Sequence, residues 1–223
     1  MSSIRLNKFI AHHAGLSRRE ADEAIEQGRV KINQAIASLG AQVSPSDIVT
    51  IDNQTITPLH NYTYVLLNKP VGYVCSRRQQ GDAPTIYSLL PETYQKLKTV
   101  GRLDRDSSGL IILTDDGDLA HRMTHPRFVK TKVYEVELDH PLAPLHMQMI
   151  SDHGIQLEDG VSQFIVSRRN PTGYSVTMTE GRNRQIRRTF TALGYTVTKL
   201  HRTQFGPYSI ADIDNKKYRE IAV

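Results

Sequence analysis

Residues 101–113 read Gly101-Arg102-Leu103-Asp104-Arg105-Asp106-Ser107-Ser108-Gly109-Leu110-Ile111-Ile112-Leu113. Four consecutive large aliphatics, bounded by Gly109 and by Thr114-Asp115-Asp116-Gly117, predict a central, fully buried strand. In front of that strand an aspartate lies between two arginines in a glycine-bounded loop. Guanidiniums within a few ångströms favour the charged form of a carboxylate. An ionised, oriented carboxylate can act as a nucleophile or a base. The same residues equally suit an Arg–Asp pair that only braces a turn.

Working outward, residues 64–67 (Tyr-Val-Leu-Leu) predict a second buried strand, which runs into a sharp turn at 68–72. Residues 76–85 are polar, with Gly81 and Pro84, and predict a mobile loop. A helix is expected over 115–124, a strand through Val133, Tyr134, Val136 and Leu138, and a short helix over 143–150. Residues 173–179 alternate as a strand does. Ile186, Phe190 and Leu193 share one face of a helix over 183–193, and residues 195–200 alternate again. The polar, Lys-rich residues 94–99 show no strand signal. Periodicity alone therefore predicts mixed α and β structure.

The first 60 residues have a different character. Leu6, Phe9, Ile10 and Ala14 recur at helical spacing, and Gly15-Leu16 ends that helix. Ser17 and Glu20 form a Ser-x-x-Glu capping box for a second helix, whose buried stripe is Ala21, Ala24 and Ile25, with Gly28 as its stop. Val30, Ile32, Val43, Ile48, Val49 and Ile51 predict short strands, with a turn at Pro45-Ser46-Asp47. The capping box leaves Arg18 and Arg19 in the first turn, where a helix dipole does not favour cations. Free backbone N–H groups beside two guanidiniums suit a phosphate. Residues 57–62, with Pro58, predict a linker.

Composition bounds the function. The chain has 223 residues, 39% hydrophobic and 23% charged, enough apolar matter for a packed core in one or two domains. It has one cysteine, Cys75, which excludes an internal disulfide and a cysteine-based zinc cluster. No apolar run approaches the ~18 residues that a membrane span needs. Residues 1–8 show no apolar segment behind their charges, so a secretory signal is not expected. These features together point to the cytoplasm. The formal charge is +5, from 28 Lys+Arg and 23 Asp+Glu. Residues 1–60 carry six basic and six acidic groups, so the surplus lies in 61–223. Residues 181–202 hold Arg182, Arg184, Arg187, Arg188, Lys199 and Arg202 and no carboxylate. That is a footprint for a polyanion such as nucleic acid, or else a solvated basic helix face.

Two resemblances sharpen the reading. Arg5-Leu6-Asn7-Lys8, Gly15-Leu16-Ser17-Arg18-Arg19-Glu20-Ala21 and Gly28-Arg29-Val30-Lys31-Ile32-Asn33 resemble the alpha-L RNA-binding module over about the first 50 residues. Gln34 stands where that family usually has Gly, and Ser46-Asp47 where it often has Gly-Asp. The resemblance implies RNA contacts by Arg5, Lys8, Arg18 and Arg19. Further along, Lys69-Pro70-Val71-Gly72, Val100-Gly101-Arg102-Leu103-Asp104, Thr114-Asp115-Asp116-Gly117, Lys132-Val133-Tyr134-Glu135-Val136, Glu180-Gly181-Arg182-Asn183-Arg184-Gln185-Ile186-Arg187-Arg188, Leu200-His201-Arg202 and Phe205-Gly206-Pro207 occur in the order of the pseudouridine synthases. Within them the chain is similar to the small-subunit ribosomal synthase A family.

This second resemblance implies an α+β protein: an α/β RNA-binding module, 1–60, then a catalytic domain, 61–223, on a mixed, largely antiparallel sheet. It implies isomerisation of uridine to pseudouridine in ribosomal RNA with no cofactor and no metal. Transfer RNA as a further substrate stays open, and a monomer is expected. Asp104 matches the essential aspartate. Tyr134 matches a tyrosine that stacks on the flipped base, and Arg187 the basic residue that pairs with the aspartate. Ile186 and Leu200 match apolar pocket walls and Arg102 the arginine that fills the gap left by the flipped nucleotide. Arg184 and Lys69 join them as substrate-binding groups. Asp106 is expected to brace the loop. Two rivals remain. One is a haloacid-dehalogenase-type phosphatase using Asp104-Arg105-Asp106-Ser107-Ser108 with magnesium, which demands a preceding buried strand and βαβ alternation. The other is a non-catalytic RNA-binding protein.

Overall fold

The computed structural model describes residues 3–57, 62–78 and 80–222. The chain divides into two compact units, Met1–Tyr62 with Asp115–Gly117, and Thr63–Thr114 with Asp118–Val223. Most of the 57–62 linker expectation, Pro58 included, falls on residues outside those described.

The first unit runs β1 (Ile4–Arg5), α1 (Leu6–His13), α2 (Arg18–Glu26), β2 (Val30–Ile32), β3 (Ala35–Ile36), β4 (Gln42–Val43), β5 (Val49–Ile51) and β6 (Gln54–Thr55). The capping box forms as the sequence predicts. The Glu20 amide donates to Ser17 Oγ at 3.2 Å, and the Ser17 amide donates to Glu20 Oε2 at 2.6 Å. Leu6, Ile10, Ala21, Ala24, Ile25, Val30 and Val49 close a small core. Ala14 departs from the expected stripe: it is the exposed residue that ends α1. β3-β2-β5-β6 form an antiparallel sheet. The β2–β3 turn keeps its shape without the family's usual glycine, because Asn33 and Gln34 take φ of 48° and 74°. Those left-handed values are what a two-residue hairpin of this twist demands.

The second unit holds β7 (Tyr64–Lys69), β8 (Lys98–Val100), β9 (Ser108–Thr114), α3 (Gly117–Thr124), β10 (Lys132–Leu138), α4 (Pro144–Asp152), β11 (Ile155–Leu157), β12 (Gly160–Ser162), β13 (Ile165–Arg168), β14 (Gly173–Met178), α5 (Gln185–Ala192), β15 (Val197–Phe205), β16 (Tyr208–Ser209) and β17 (Tyr218–Ile221). Its main sheet has the order β13-β14-β10-β15-β9-β7-β17, with β16 on β15 and β8 on β9. All neighbours are antiparallel except β15 and β9, which run parallel. The sheet is thus mixed and largely antiparallel. β9 is central as expected, with Leu110, Ile111, Ile112 and Leu113 completely buried.

One expectation needs correction. A strand, β8, does precede the Asp104 loop, although residues 94–99 are polar. Only Val100 of β8 is fully buried, so its alternation is too short to register in the sequence. The 76–85 loop is anchored at its far end. Val74 bridges Thr85, and Ala83 is 1% exposed. The sheet's largely antiparallel order removes the βαβ alternation that the phosphatase reading requires.

Candidate active site

The loop between β8 and β9 carries Asp104, and its backbone is held from below. Lys69, at the end of β7, is fully buried. Its Nζ donates to the carbonyls of Ser107 (2.6 Å), Asp104 (3.0 Å) and Pro70 (3.1 Å). Burial pushes its pKa down. The amide of Gly72 donates to the Arg105 carbonyl at 2.7 Å, and that of Ser107 to the Asp104 carbonyl at 3.1 Å. Lys69 was expected to bind substrate; it lies outside the cleft and acts as the loop's internal post. A buried ammonium is tolerated only when its donors are satisfied, and three carbonyls satisfy this one. Replacing Lys69 by Met leaves those carbonyls unpaired. We expect a stability loss of about 2 kcal/mol, read by chemical denaturation. Turnover should fall about a hundredfold as Asp104 shifts, with Lys69→Arg unable to restore it for lack of room.

From above the loop is clamped by α5. Arg184 donates from Nη1 and Nη2 to Oδ1 and Oδ2 of Asp106, at 2.9 and 2.8 Å. Arg187 donates from Nη2 to the Asp106 carbonyl at 2.8 Å and from Nη1 to the Val197 carbonyl at 2.8 Å. Its Nε stands 3.3 Å from Asp106 Oδ2. The Arg184 hydrogen bonds hold the Asp106 carboxyl below its ordinary range, and burial lowers the Arg187 pKa. Asp106 therefore braces the loop, as anticipated. The expected pair between Arg187 and Asp104 is replaced by one with Asp106. The cation within 4 Å of Asp104 is Arg184, at 3.8 Å. Nor do Arg102 and Arg105, its chain neighbours, form an ion pair with it.

With its backbone fixed on both sides, Asp104 turns its carboxylate into a cleft of about 770 Å³. Among the described residues no hydrogen bond is donated to that carboxylate, and its side chain is 35% exposed. Both oxygens are thus available to an incoming group. Tyr134, Ile186, Leu200, Arg102 and Arg184 line the same cleft. Tyr134 lies on β10, directly across from Arg202 on β15 and Val176 on β14. Leu103, Tyr134, Ile186, Leu200 and Met178 belong to one buried cluster, so the apolar walls are the edge of the core itself. The geometry brings the Asp104 carboxylate, the Tyr134 ring and aliphatic walls to one cleft, a set that fits a planar, partly polar ring.

The acid-free stretch 181–202 is not a free basic face. Arg182 and Arg188 both hold Asp159, at 2.9 and 2.7 Å, while Arg184 and Arg187 hold Asp106. Arg202 is 2% exposed, its Nε donating to the Leu110 carbonyl at 2.9 Å. The stretch is not a plainly solvated face, yet its four paired arginines outnumber their two carboxylates, and Arg184 and Lys199 stay exposed. Sequence reasoning also missed residues 123–130, several of which line the cleft, and Cys75, whose Sγ accepts from the Leu103 amide at 3.5 Å. The run from Leu119 to Tyr134 has no carboxylate either, and that signal was available.

In the first unit Arg18 and Arg19 stand exposed in the first turn of α2, and Arg18 donates to Asn7 of α1 at 3.4 Å. Arg5 lies in β1 and Lys8 in α1.

The RNA pseudouridylate synthase family model matches residues 63–192, more than half of the chain. The chain belongs to the RNA pseudouridine synthases. The S4 domain model matches residues 4–49 of the same chain. Over 224 residues this synthase is 37% identical to ribosomal small subunit pseudouridine synthase A of Escherichia coli, covering 98% of this chain and 96% of that one. It is 37% identical over 222 residues to the dual-specificity RNA pseudouridine synthase RluF of the same organism, covering 99% and 76%. A crystal structure of a pseudouridylate synthase superimposes with a TM-score of 0.69 at 34% identity, covering 99% of this chain and 96% of that chain. Membership overturns the phosphatase reading.

Proposed function

We propose that the chain isomerises a specific uridine of ribosomal RNA to pseudouridine, with Asp104 as the catalytic carboxylate and with no cofactor. The observation that carries this reading is the Asp104 carboxylate, free of hydrogen bonds, facing a cleft that Tyr134 also lines. The names of the relatives support the ribosomal substrate. Chemically, the bond between C1′ of the ribose and N1 of the base breaks. The uracil turns, and a bond forms between C1′ and C5. The hydrogen leaves C5 and a proton returns to the freed ring nitrogen, so reactant and product are isomers. No net oxidant or reductant is consumed. Cleaving a glycosidic bond calls for a positioned carboxylate, as in glycoside hydrolysis, and Asp104 is positioned by Lys69 below and Arg184 beside it. Tyr134 stacks on the extruded base, Ile186 and Leu200 flank it, and Arg102 occupies the vacated place in the RNA.

Arg187 acts at one remove: it fixes the Asp106 carbonyl and thereby the loop. The first unit supplies RNA affinity through Arg5, Lys8, Arg18 and Arg19, and the enzyme works in the cytoplasm as a monomer. Among the described residues no helix is long and apolar enough to cross a membrane.

The test is to incubate unmodified ribosomal RNA with the protein and map pseudouridine by carbodiimide-dependent primer extension. A new stop is expected, and its absence with active, folded protein ends the reading. Tyr134→Ala should slow turnover about a hundredfold or more, since stacking is worth ~1–3 kcal/mol per base and positioning adds to it. RNA affinity should change by less than about threefold, because other groups carry the phosphate contacts. Equal losses in both would make Tyr134 a core residue only.

A further inference from the structure

Two groups of arginines in the catalytic unit differ in their partners. Arg182, Arg184, Arg187 and Arg188 are already engaged in ion pairs, with Asp159 and Asp106. Arg102, Arg105, Arg122 and Arg127 are exposed, and among the described residues none of them forms an ion pair. The segment between α3 and β10 adds a second feature. Arg127 lies over the ring of Phe128, 4.4 Å from its centroid. His121 and His125 meet that ring edge-on, at 5.8 and 6.4 Å. The arrangement is built rather than loose. The His125 amide bonds the His121 carbonyl at 2.9 Å, the Phe128 amide the His125 carbonyl at 3.0 Å, and the Arg127 amide His125 Nδ1 at 3.2 Å. Next to it Val129 is 70% exposed. His125, Phe128, Val129 and Lys130 line the same cleft as Asp104.

We propose that residues 121–130 form a docking platform for the single-stranded nucleotides that flank the target uridine, with Arg105 holding a phosphate beside it. The proposal rests on the pseudouridine synthase reading above and names where the substrate strand runs. Unpaired guanidiniums next to a half-buried aromatic ring and an exposed aliphatic side chain are the chemistry of single-strand recognition. Arginines meet phosphates, and a guanidinium over a ring offers a flat, cationic stacking surface. A duplex keeps its bases stacked inside and cannot use that surface. The arginines at 182–188 already hold carboxylates, whereas Arg105, Arg122 and Arg127 have no ion-pair partner among the described residues.

The experiment uses the full chain and a fluorescent oligouridylate, with affinity followed by anisotropy across a salt series. Phe128→Ala should weaken binding about tenfold. Arg127→Gln, at an exposed position, should reduce the slope of log affinity against log salt by about one. In both variants the loss should be largest at subsaturating ribosomal RNA, as a raised half-saturation concentration. A 4-thiouridine-containing oligomer should crosslink within 121–130. The proposal is overturned if both variants keep wild-type affinity and slope, if every crosslink maps elsewhere, or if an RNA duplex of equal length competes as well as the single strand. The two readings fail separately. Lost oligouridylate affinity with no pseudouridine formed by wild type would leave the platform and remove the proposed reaction. Normal pseudouridine formation with unaltered variant binding would do the reverse.

Discussion

Asp104→Asn is expected to reduce pseudouridine formation about ten-thousandfold or more, the scale on which a lost catalytic nucleophile or acid–base group is felt. The substitution is nearly isosteric, and the native carboxylate receives no hydrogen bond among the described residues, so the loop loses only the 3.8 Å ion pair with Arg184 when it becomes an amide. The backbone posts remain, with Lys69 Nζ at 3.0 Å and the Ser107 amide at 3.1 Å from the Asp104 carbonyl. Stability should therefore hold within about 0.5 kcal/mol, as for a surface change away from such features. RNA affinity should hold or rise slightly, since a negative charge leaves a phosphate-binding cleft. The measurements are primer-extension mapping, chemical denaturation and filter binding on one preparation. Near-normal turnover in the variant would remove Asp104 from the chemistry and leave it a loop residue. A wild-type protein that binds RNA yet makes no pseudouridine would favour the non-catalytic rival.

Gly109→Ala is expected to prevent the catalytic unit from folding. Gly109 sits at φ +107°, a region that residues with a side chain rarely adopt. It faces Arg202 across the parallel pairing of β9 and β15, with Ser108 facing His201. A methyl group there would overlap the Arg202 carbonyl oxygen and lie 2.6 Å from its amide nitrogen. Both obstacles are backbone atoms of a central strand, so no side chain can swing aside. The cost should exceed about 4 kcal/mol, the range reserved for strain at special backbone positions. That is a large part of the ~5–15 kcal/mol by which domains are stable. Soluble yield and the denaturation midpoint test it, and a variant with the wild-type midpoint would mean that β9 and β15 do not approach as closely as described. The same glycine bounds the loop that carries Asp104, so one backbone requirement serves both the sheet and the site.

How legible was all this in the chain? Signals that act over a few residues survived folding. The Ser17–Glu20 box works through atoms three residues apart, and its two hydrogen bonds form as read. The aliphatic run 110–113 had to be buried on both faces and is. The ordered motifs brought Asp104, Tyr134, Ile186 and Leu200 to one cleft, because each sits at a fixed place on a strand, loop or helix whose own pattern is strong. Short elements were hidden. β8 and β17 have three and four residues, too few for alternation to stand out, and each exists because a long neighbouring strand offers it partners.

Charge was the least legible property. From the chain alone one learns that residues 181–202 are basic and without acid, that Lys69 stands before a turn, and that Asp104 has arginines on either side. Only the folded chain decides that Asp106 reaches Arg184 across 78 residues, that Asp159 takes Arg182 and Arg188, and that Lys69 is a buried post. The reason is physical. Helix caps and buried strands are set by neighbours along the backbone, whereas ion pairing depends on distance in space and on access to water, which sequence separation does not encode.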